Sequence, residues 1–317
     1  MNSTVSSIDL KGNKIGDEGV ASISDCLKFN SILNFINLKG NDIGEKGAQA
    51  ISDGLRHNTS ITSICLDGNK IEGGVQFISD CLKLSSSLIS LYLDGNSIGN
   101  EGAKLLSESL KMNTTLSLID LSYNDIQKDG IQCISEALVY NSSITAIHLT
   151  GNRVEEGINY LAECLKINST ITYINLSKNN IGKEGGLLIS ESLKYNTKIS
   201  CINLEDNFLG FEGVQGILDS LKFNSTITSL ALTNNQNGTK LNFESLNLNS
   251  SITTISLSQS SIGAEEAESI SEILKCNTTI ITINLSGNDI GAEGAIHLSE
   301  ALRLNSSISS LDLSGNS

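Results

Sequence analysis

The 317 residues carry 21 Lys and Arg against 35 Asp and Glu, a net charge of −14, and 39% of them are hydrophobic. An acidic chain with no basic block is a poor general nucleic-acid binder, and no run approaches the roughly 18 consecutive apolar residues that a membrane span needs. Proline and tryptophan are absent, which a regular array tolerates better than a globular enzyme with irregular loops.

The opening residues Met1-Asn2-Ser3-Thr4 show neither the basic nor the apolar region of a secretory signal. The first predicted strand follows at once, with apolar residues alternating at Ile8 and Leu10, and Asn13 stands where the chain turns away. The same asparagine returns at 41, 69, 96, 124, 152, 179, 207 and 235, is replaced by Ser260, and resumes at Asn288 and Asn316. Successive members are 27 or 28 residues apart, with one spacing of 25. A period held over the whole chain marks a repeat architecture, here twelve strand segments and eleven complete units.

The second unit shows the grammar. After Asn41 come Ile43-Gly44-Glu45-Lys46-Gly47 and then a helical stretch from Ala48 to Leu55. Ile51 and Leu55, four apart, share the buried face, which leaves Ser52, Asp53 and Arg56 toward solvent. Glu18, Glu101, Glu184, Glu212 and Glu293 fall in first helical turns, where the helix dipole favours them. Small residues fill one helix slot, at Cys26, Gly54, Cys81, Ser109, Ala137 and Cys164, so these cysteines read as packing residues. Seven cysteines without a C-x-x-C pair or zinc-ligand spacing predict no metal site and a reducing, cytoplasmic location. Asparagines such as Asn58, Asn113, Asn141 and Asn305 close the helices. A left-handed conformation is expected for them, which makes their N-x-S/T triplets by-products of capping. His57 precedes one of these asparagines in the slot of Phe29, Tyr140 and Phe223, and is expected to pack.

Further along, the third and sixth units each lose a residue in the strand-to-helix turn, at Ile71-Glu72-Gly73-Gly74 and Val154-Glu155-Glu156-Gly157. The ninth departs further. Between residues 235 and 260 the I-G and E-G signals give way to Asn237-Gly238-Thr239-Lys240, and the helix shrinks to about Phe243–Leu246. Neither end shows the polar-faced unit that usually caps an array, so residues 1–317 read as a single array that belongs to a longer protein or self-associates through its open ends.

The pattern L-x-x-L-x-L-x-x-N-x-I-G-x-E-G, followed by a helix ending L-K-x-N, resembles the leucine-rich repeat of the ribonuclease-inhibitor-like class. Here it reads Leu33-x-x-Ile36-x-Leu38-x-x-Asn41-x-Ile43-Gly44. The resemblance implies an α/β solenoid, a right-handed horseshoe of about eleven strand-turn-helix units with a parallel sheet on its concave face.

Residues between the inward aliphatics of each strand face outward from that sheet. Large or charged ones concentrate in the second to eighth strands: Phe35, Asp67, Tyr92, Asp94, Leu118, Asp120, His148, Tyr173 and Glu205. Aromatic side chains on an exposed strand face anchor interfaces, and the carboxylates favour a basic protein partner. Phe208 and Phe211 form a second candidate on a loop. His148 beside Asp120 is the one His–Asp pairing, but no nucleophile or pocket accompanies it. No phosphate loop or dinucleotide fingerprint occurs, so no cofactor is expected. The chain reads as a non-enzymatic protein-interaction scaffold that takes no nucleic acid and no membrane. The alternatives implied by the resemblance are a regulator of a small GTPase, or the sensing array of a larger receptor or of a secreted bacterial effector acting in a host cytosol.

Overall fold

The computed structural model describes residues 3–235 and 240–317; Asn237, Gly238 and Thr239 of the irregular unit lie outside them. The chain divides into two compact units, Met1–Cys164 and Leu165–Ser317. In the first, β1 (Ser7–Asp9), β2 (Phe35–Asn37), β3 (Ser63–Cys65), β4 (Ser90–Tyr92), β5 (Leu118–Asp120) and β6 (Ala146–His148) pair in chain order, all parallel. In the second, β7 (Tyr173–Asn175), β8 (Cys201–Asn203), β9 (Ser229–Ala231), β10 (Thr254–Ser256), β11 (Thr282–Asn284) and β12 (Ser310–Asp312) do the same. Register follows the repeat: Ile36 lies opposite Ile8 and Ile64, Ile202 opposite Ile174 and Leu230.

Strands lead into helices: α1 (Gly16–Leu27), α2 (Glu45–Leu55), α3 (Val75–Leu82), α4 (Gly99–Leu110), α5 (Lys128–Tyr140) and α6 (Ile158–Ile167), then α7 (Gly182–Tyr195), α8 (Gly210–Ser220), α9 (Glu244–Leu248), α10 (Ala264–Cys276) and α11 (Gly291–Leu304); α1 to α5 pack in succession, as do α7 to α11. The two shortened turns open as 3-10 turns, Glu72–Gly74 and Glu155–Gly157, the tighter helix that a missing residue imposes. In the irregular unit α9 has five residues, and the ring of Phe243 is fully buried beside it.

Two asparagine ladders hold successive units together. Asn124 is fully buried: its Oδ1 accepts the amides of Asn96 (2.9 Å) and Ile98 (3.3 Å), and its Nδ2 donates to the carbonyls of Leu93 (2.8 Å) and Ser122 (2.9 Å). Backbone groups trapped between layers away from water are paired in this way. Asn41, Asn207 and Asn288 act likewise on the units before them.

The second ladder corrects one expectation. The helix-ending asparagines are extended, not left-handed: Asn141, Asn277 and Asn305 have φ of −71°, −73° and −77° with ψ of 130°, 130° and 134°. An extended residue turns the chain toward its strand and lets the amide reach back. Asn141 Nδ2 donates to the carbonyls of Leu110 (2.7 Å) and Asn113 (3.0 Å) of the previous unit, while Oδ1 accepts the amides of Ser143 and Ile144. The hydroxyl two residues on is also used, Ser60 Oγ donating to Leu33 O at 2.7 Å. Both ends of the N-x-S/T triplet are therefore clamps between units.

Two further expectations fail for related reasons. Ser52 is fully buried, not solvent-facing. Its equivalents show why a small polar residue belongs there, since Ser79 Oγ donates to Leu105 O on the next helix. The slot of His57 is exposed rather than packed: Phe29 is 70% and Tyr140 75% accessible, and His57 is exposed too. The small-residue slot holds as expected. A Cβ on Gly54 would lie 2.9 Å from Ser24 O. Cys81 and Cys164 are buried, whereas Cys26 on the first helix is exposed. First-turn glutamates are present on α1, α4, α7, α8 and α11, and for α2 and α5 the previous unit supplies the cap. Asp17 Oδ1 accepts the amides of Gly44 (2.7 Å) and Gly47 (3.0 Å) at the start of α2, and Asn100 does the same for α5.

Burial pushes the thiols of Cys65 and Cys164 up to about 12 and that of Cys81 up to about 11, and the thiolate is the reactive form. A chromogenic disulfide reagent should therefore modify the exposed Cys26 and Cys276 rapidly in the folded chain, and Cys65, Cys81 and Cys164 only after unfolding.

Candidate functional site

Parallel strands set side chains of equal register about 4.8 Å apart, so the outward rows of the first unit can be read from the pairing. Tyr92 on β4 lies opposite Asp120 on β5, and Asp120 opposite His148 on β6. This makes one unbroken aromatic–acid–imidazole row, each member half-buried by its neighbours. Leu118 stands in a parallel row between Ser90 and Ala146. Phe35, half-buried between Ser7 and Ser63, lies two strands away from Tyr92 and is separate.

Two residues beyond the strands, the acids divide into different roles. Asp67 is 8% exposed. Its Oδ1 accepts the Asp94 amide at 3.0 Å, and its Oδ2 accepts the Cys65 thiol at 3.2 Å and lies 3.5 Å from Lys39 Nζ. It positions the loop rather than presenting a carboxylate. Asp120 Oδ1 accepts the Ser122 amide at 2.9 Å. Asp94 is half-buried, and its carboxyl is raised above the ordinary range, first by burial and then by the charges of Asp120 and Asp67, with Lys39 opposing. Lys39 sits on Asp67, so Asp94 is the carboxylate left facing outward with excess negative charge around it.

That shift has a sign. An acid whose folded value is raised above its unfolded one destabilises the fold when ionised. The cost is present in full above the raised value and vanishes below the ordinary one. Asp94→Asn should therefore give a modest rise in melting temperature at neutral pH, and the gain should fade as pH falls through the carboxylate range. Thermal unfolding at stepped pH reads this directly.

In the second unit the two predicted residues are not brought together. Tyr173 lies opposite Cys201, four residues (about 13 Å of strand) from Glu205, whose Oε2 accepts the Asn203 side chain at 3.3 Å. Phe208 is 53% exposed at φ +54°, a left-handed conformation that costs a bulky residue strain. Phe211 is half-buried on α8.

Sequence reasoning missed Tyr123. It follows the Tyr92–Asp120–His148 row at the end of β5, is 49% exposed and has φ +51°. Its ring covers Gly151, where a Cβ would lie 2.3 Å from Cε1. The signal was available: most units place glycine before the turn asparagine, as at Gly68, Gly95 and Gly151, and tyrosine replaces it here. Among the described residues, no group of three or more His, Cys, Asp or Glu is placed to hold a metal ion, and no helix is long and apolar enough to cross a membrane.

A family model described as a leucine-rich repeat matches residues 2–24, 29–52, 84–107, 113–135, 168–190 and 276–299. Six segments of the chain thus match the leucine-rich repeat. The leucine-rich repeat-containing protein LegL7 from Legionella pneumophila is similar in structure, with a TM-score of 0.56 at 17% identity, covering 94% of this chain and 96% of that one. An internalin from Listeria monocytogenes gives a TM-score of 0.53 at 13% identity, covering 99% of this chain and 82% of that one. No curated protein sequence matches. These likenesses establish the leucine-rich repeat solenoid as the fold. The asparagine turns and the rows on the sheet are features of that fold, and the side chains filling the rows belong to this chain.

Proposed function

We infer that this leucine-rich repeat protein is a non-catalytic binding module whose first unit takes a partner protein with a basic surface on the open face of its parallel sheet. The observation that carries this is the continuous row Tyr92–Asp120–His148 beside Asp94, a carboxylate kept on the surface at a cost in stability. Binding sites accept such costs where a partner supplies the missing charge. Tyr92 and Tyr123 supply apolar area with few rotamers to freeze, and Phe35 and Leu118 extend the face.

The reaction chemistry of His148 and Asp120 is not needed for this role: Cys65, the thiol that continues their row beyond Tyr92, donates to Asp67, and burial pushes it up to about 12. The neighbours across β4 to β6 are Tyr92, Ser90, Leu118 and Ala146. In the second unit, Tyr173, Glu205 and the strained Phe208 would add separate contacts, with Phe211 a weaker one. The test is affinity capture from a source lysate on the whole chain, beside a variant carrying Tyr92→Ala, Asp120→Ala and His148→Ala with an unchanged circular dichroism spectrum. A protein held by the first and lost by the second supports the assignment. Equal capture by both contradicts it.

A further inference from the structure

The slot before each helix-ending asparagine, whose exposure overturned the reading of His57, forms a second surface unrelated to the sheet face. In residues 165–317 it holds Ile167, Tyr195, Phe223, Leu248 and Leu304, all between 63% and 69% exposed, with the exposed Cys276 completing the series. Scattered apolar residues on a surface need no explanation, but these occupy one position in successive units whose helices pack side by side, α7 on α8 and α10 on α11. Packed helices lie about 8–10 Å apart, so the side chains line up as a stripe along the helix ends.

The flanks of the stripe differ. The residue just before the apolar one is Lys166, Lys194, Lys222, Lys275 or Arg303 in five of the six units, and these are five of the nine Lys and Arg in residues 165–317. On the other side, beyond the buried asparagine, stands Ser or Thr in every unit. The carboxylates lie one turn back along the helices. Glu191 and Asp219 pair with Lys194 at 2.7 Å and Lys222 at 3.4 Å, and Glu272 pairs with Lys275. Exposed pairs of this kind are weak and exchange readily for another carboxylate. An otherwise acidic chain thus concentrates its cations in single file beside its exposed apolar residues.

We propose that this stripe is a docking groove for an acidic amphipathic α-helix of another protein. A helix repeats its apolar positions every seven residues, about 10.5 Å, which matches the spacing of the packed helices. Its acidic flank would meet the Lys and Arg file. An anionic bilayer fits less well, because a plane would also face the acidic row and the charge of −14 carried by the whole chain. A second copy fits less well because its stripe brings the same cations, with no complementary charge.

The probe is a fluorescein-labelled helical peptide of about 25 residues, with leucine at the first and fourth positions of each heptad and glutamate flanks. Its counterpart has lysine flanks. Binding to the whole chain is read by anisotropy, and the chain's oligomeric state by light scattering. The glutamate peptide should bind at least about tenfold more tightly than the lysine peptide. It should weaken by at least that factor with the triple variant Tyr195→Ser, Phe223→Ser, Leu248→Ser, and with Lys194→Glu, Lys222→Glu, while Tyr92→Ala leaves it unchanged. Equal binding of the two peptides, no binding of either, or full binding by the triple variant overturns the proposal. So does a dimer that the triple variant dissociates, which assigns the stripe to a second copy. Stripe-dependent binding of phosphatidylserine vesicles in place of the peptide assigns it to a bilayer and overturns it as well.

Discussion

Asn124→Ala is expected to destabilise the first unit by about 3 kcal/mol or more, because each buried partner group left unpaired costs roughly 1–3 kcal/mol. The substitution strips partners from two amides, those of Asn96 and Ile98, and from two carbonyls, those of Leu93 and Ser122. All four lie between layers that exclude water. Asn124→Asp should not rescue it, since aspartate keeps the acceptor, loses both donors and buries a charge. Asn141→Ala attacks the second ladder and should cost a comparable amount, through Leu110, Asn113, Ser143 and Ile144. The neighbouring Ser142 is exposed, and Ser142→Ala serves as the control, within about 0.5 kcal/mol of the parent. Urea unfolding followed by circular dichroism measures all four. Because each unit contacts only its neighbours, loss of one asparagine should split a single transition into two, with the first unit melting earlier. A change below about 1 kcal/mol for Asn124→Ala would mean that the ladder is replaceable by water.

The second large effect is on binding. Once the partner is purified, Tyr92→Ala should weaken it by about 30-fold or more, the loss of roughly 2 kcal/mol that marks an interface anchor. Asp94→Asn should act differently. It removes a charge that the fold keeps at a cost, so stability rises while affinity and on-rate fall, and the affinity loss shrinks at high salt. Asp67→Asn disturbs a carboxylate already bonded to the Asp94 amide and Cys65, so it should lower stability as well as binding. Titration calorimetry at two ionic strengths, set beside thermal unfolding, separates these behaviours.

Much of the architecture was readable from one asparagine recurring every 27 or 28 residues. A short strand, a tight turn and a helix fit such a period, and the alternation at Ile8 and Leu10 or Ile64 and Leu66 located the strands. The juxtaposition of Asp120 and His148 followed from equal register. What failed were judgements about which surfaces are covered. Ser52 reads as outward on a helical wheel, but two helices packed closely need a small residue between them, and polarity alone does not reveal that. Phe29, Tyr140 and Phe223 are apolar, which by itself suggests burial for them and for His57, yet they sit where the helix ends and are 68–75% exposed. A left-handed cap suits asparagine in general, so the sequence alone favours it at Asn58 and Asn141. The extended alternative is decided by a carbonyl in the preceding unit, some thirty residues away, as in the bond from Asn58 to Leu27 O. Asp67 looked like a surface acid because the pattern carries no information on Cys65 and the Asp94 amide closing around it.

The most direct measurement replaces Tyr92 or Tyr140 with benzoylphenylalanine and irradiates the whole chain in complex with the captured partner. Both positions are tyrosines of the first unit, one on the sheet face and the other at a helix end. Cross-linking from position 92 and not from position 140 is the predicted result. Cross-linking from position 140 alone would contradict the sheet-face assignment and move the principal binding surface to the helix ends.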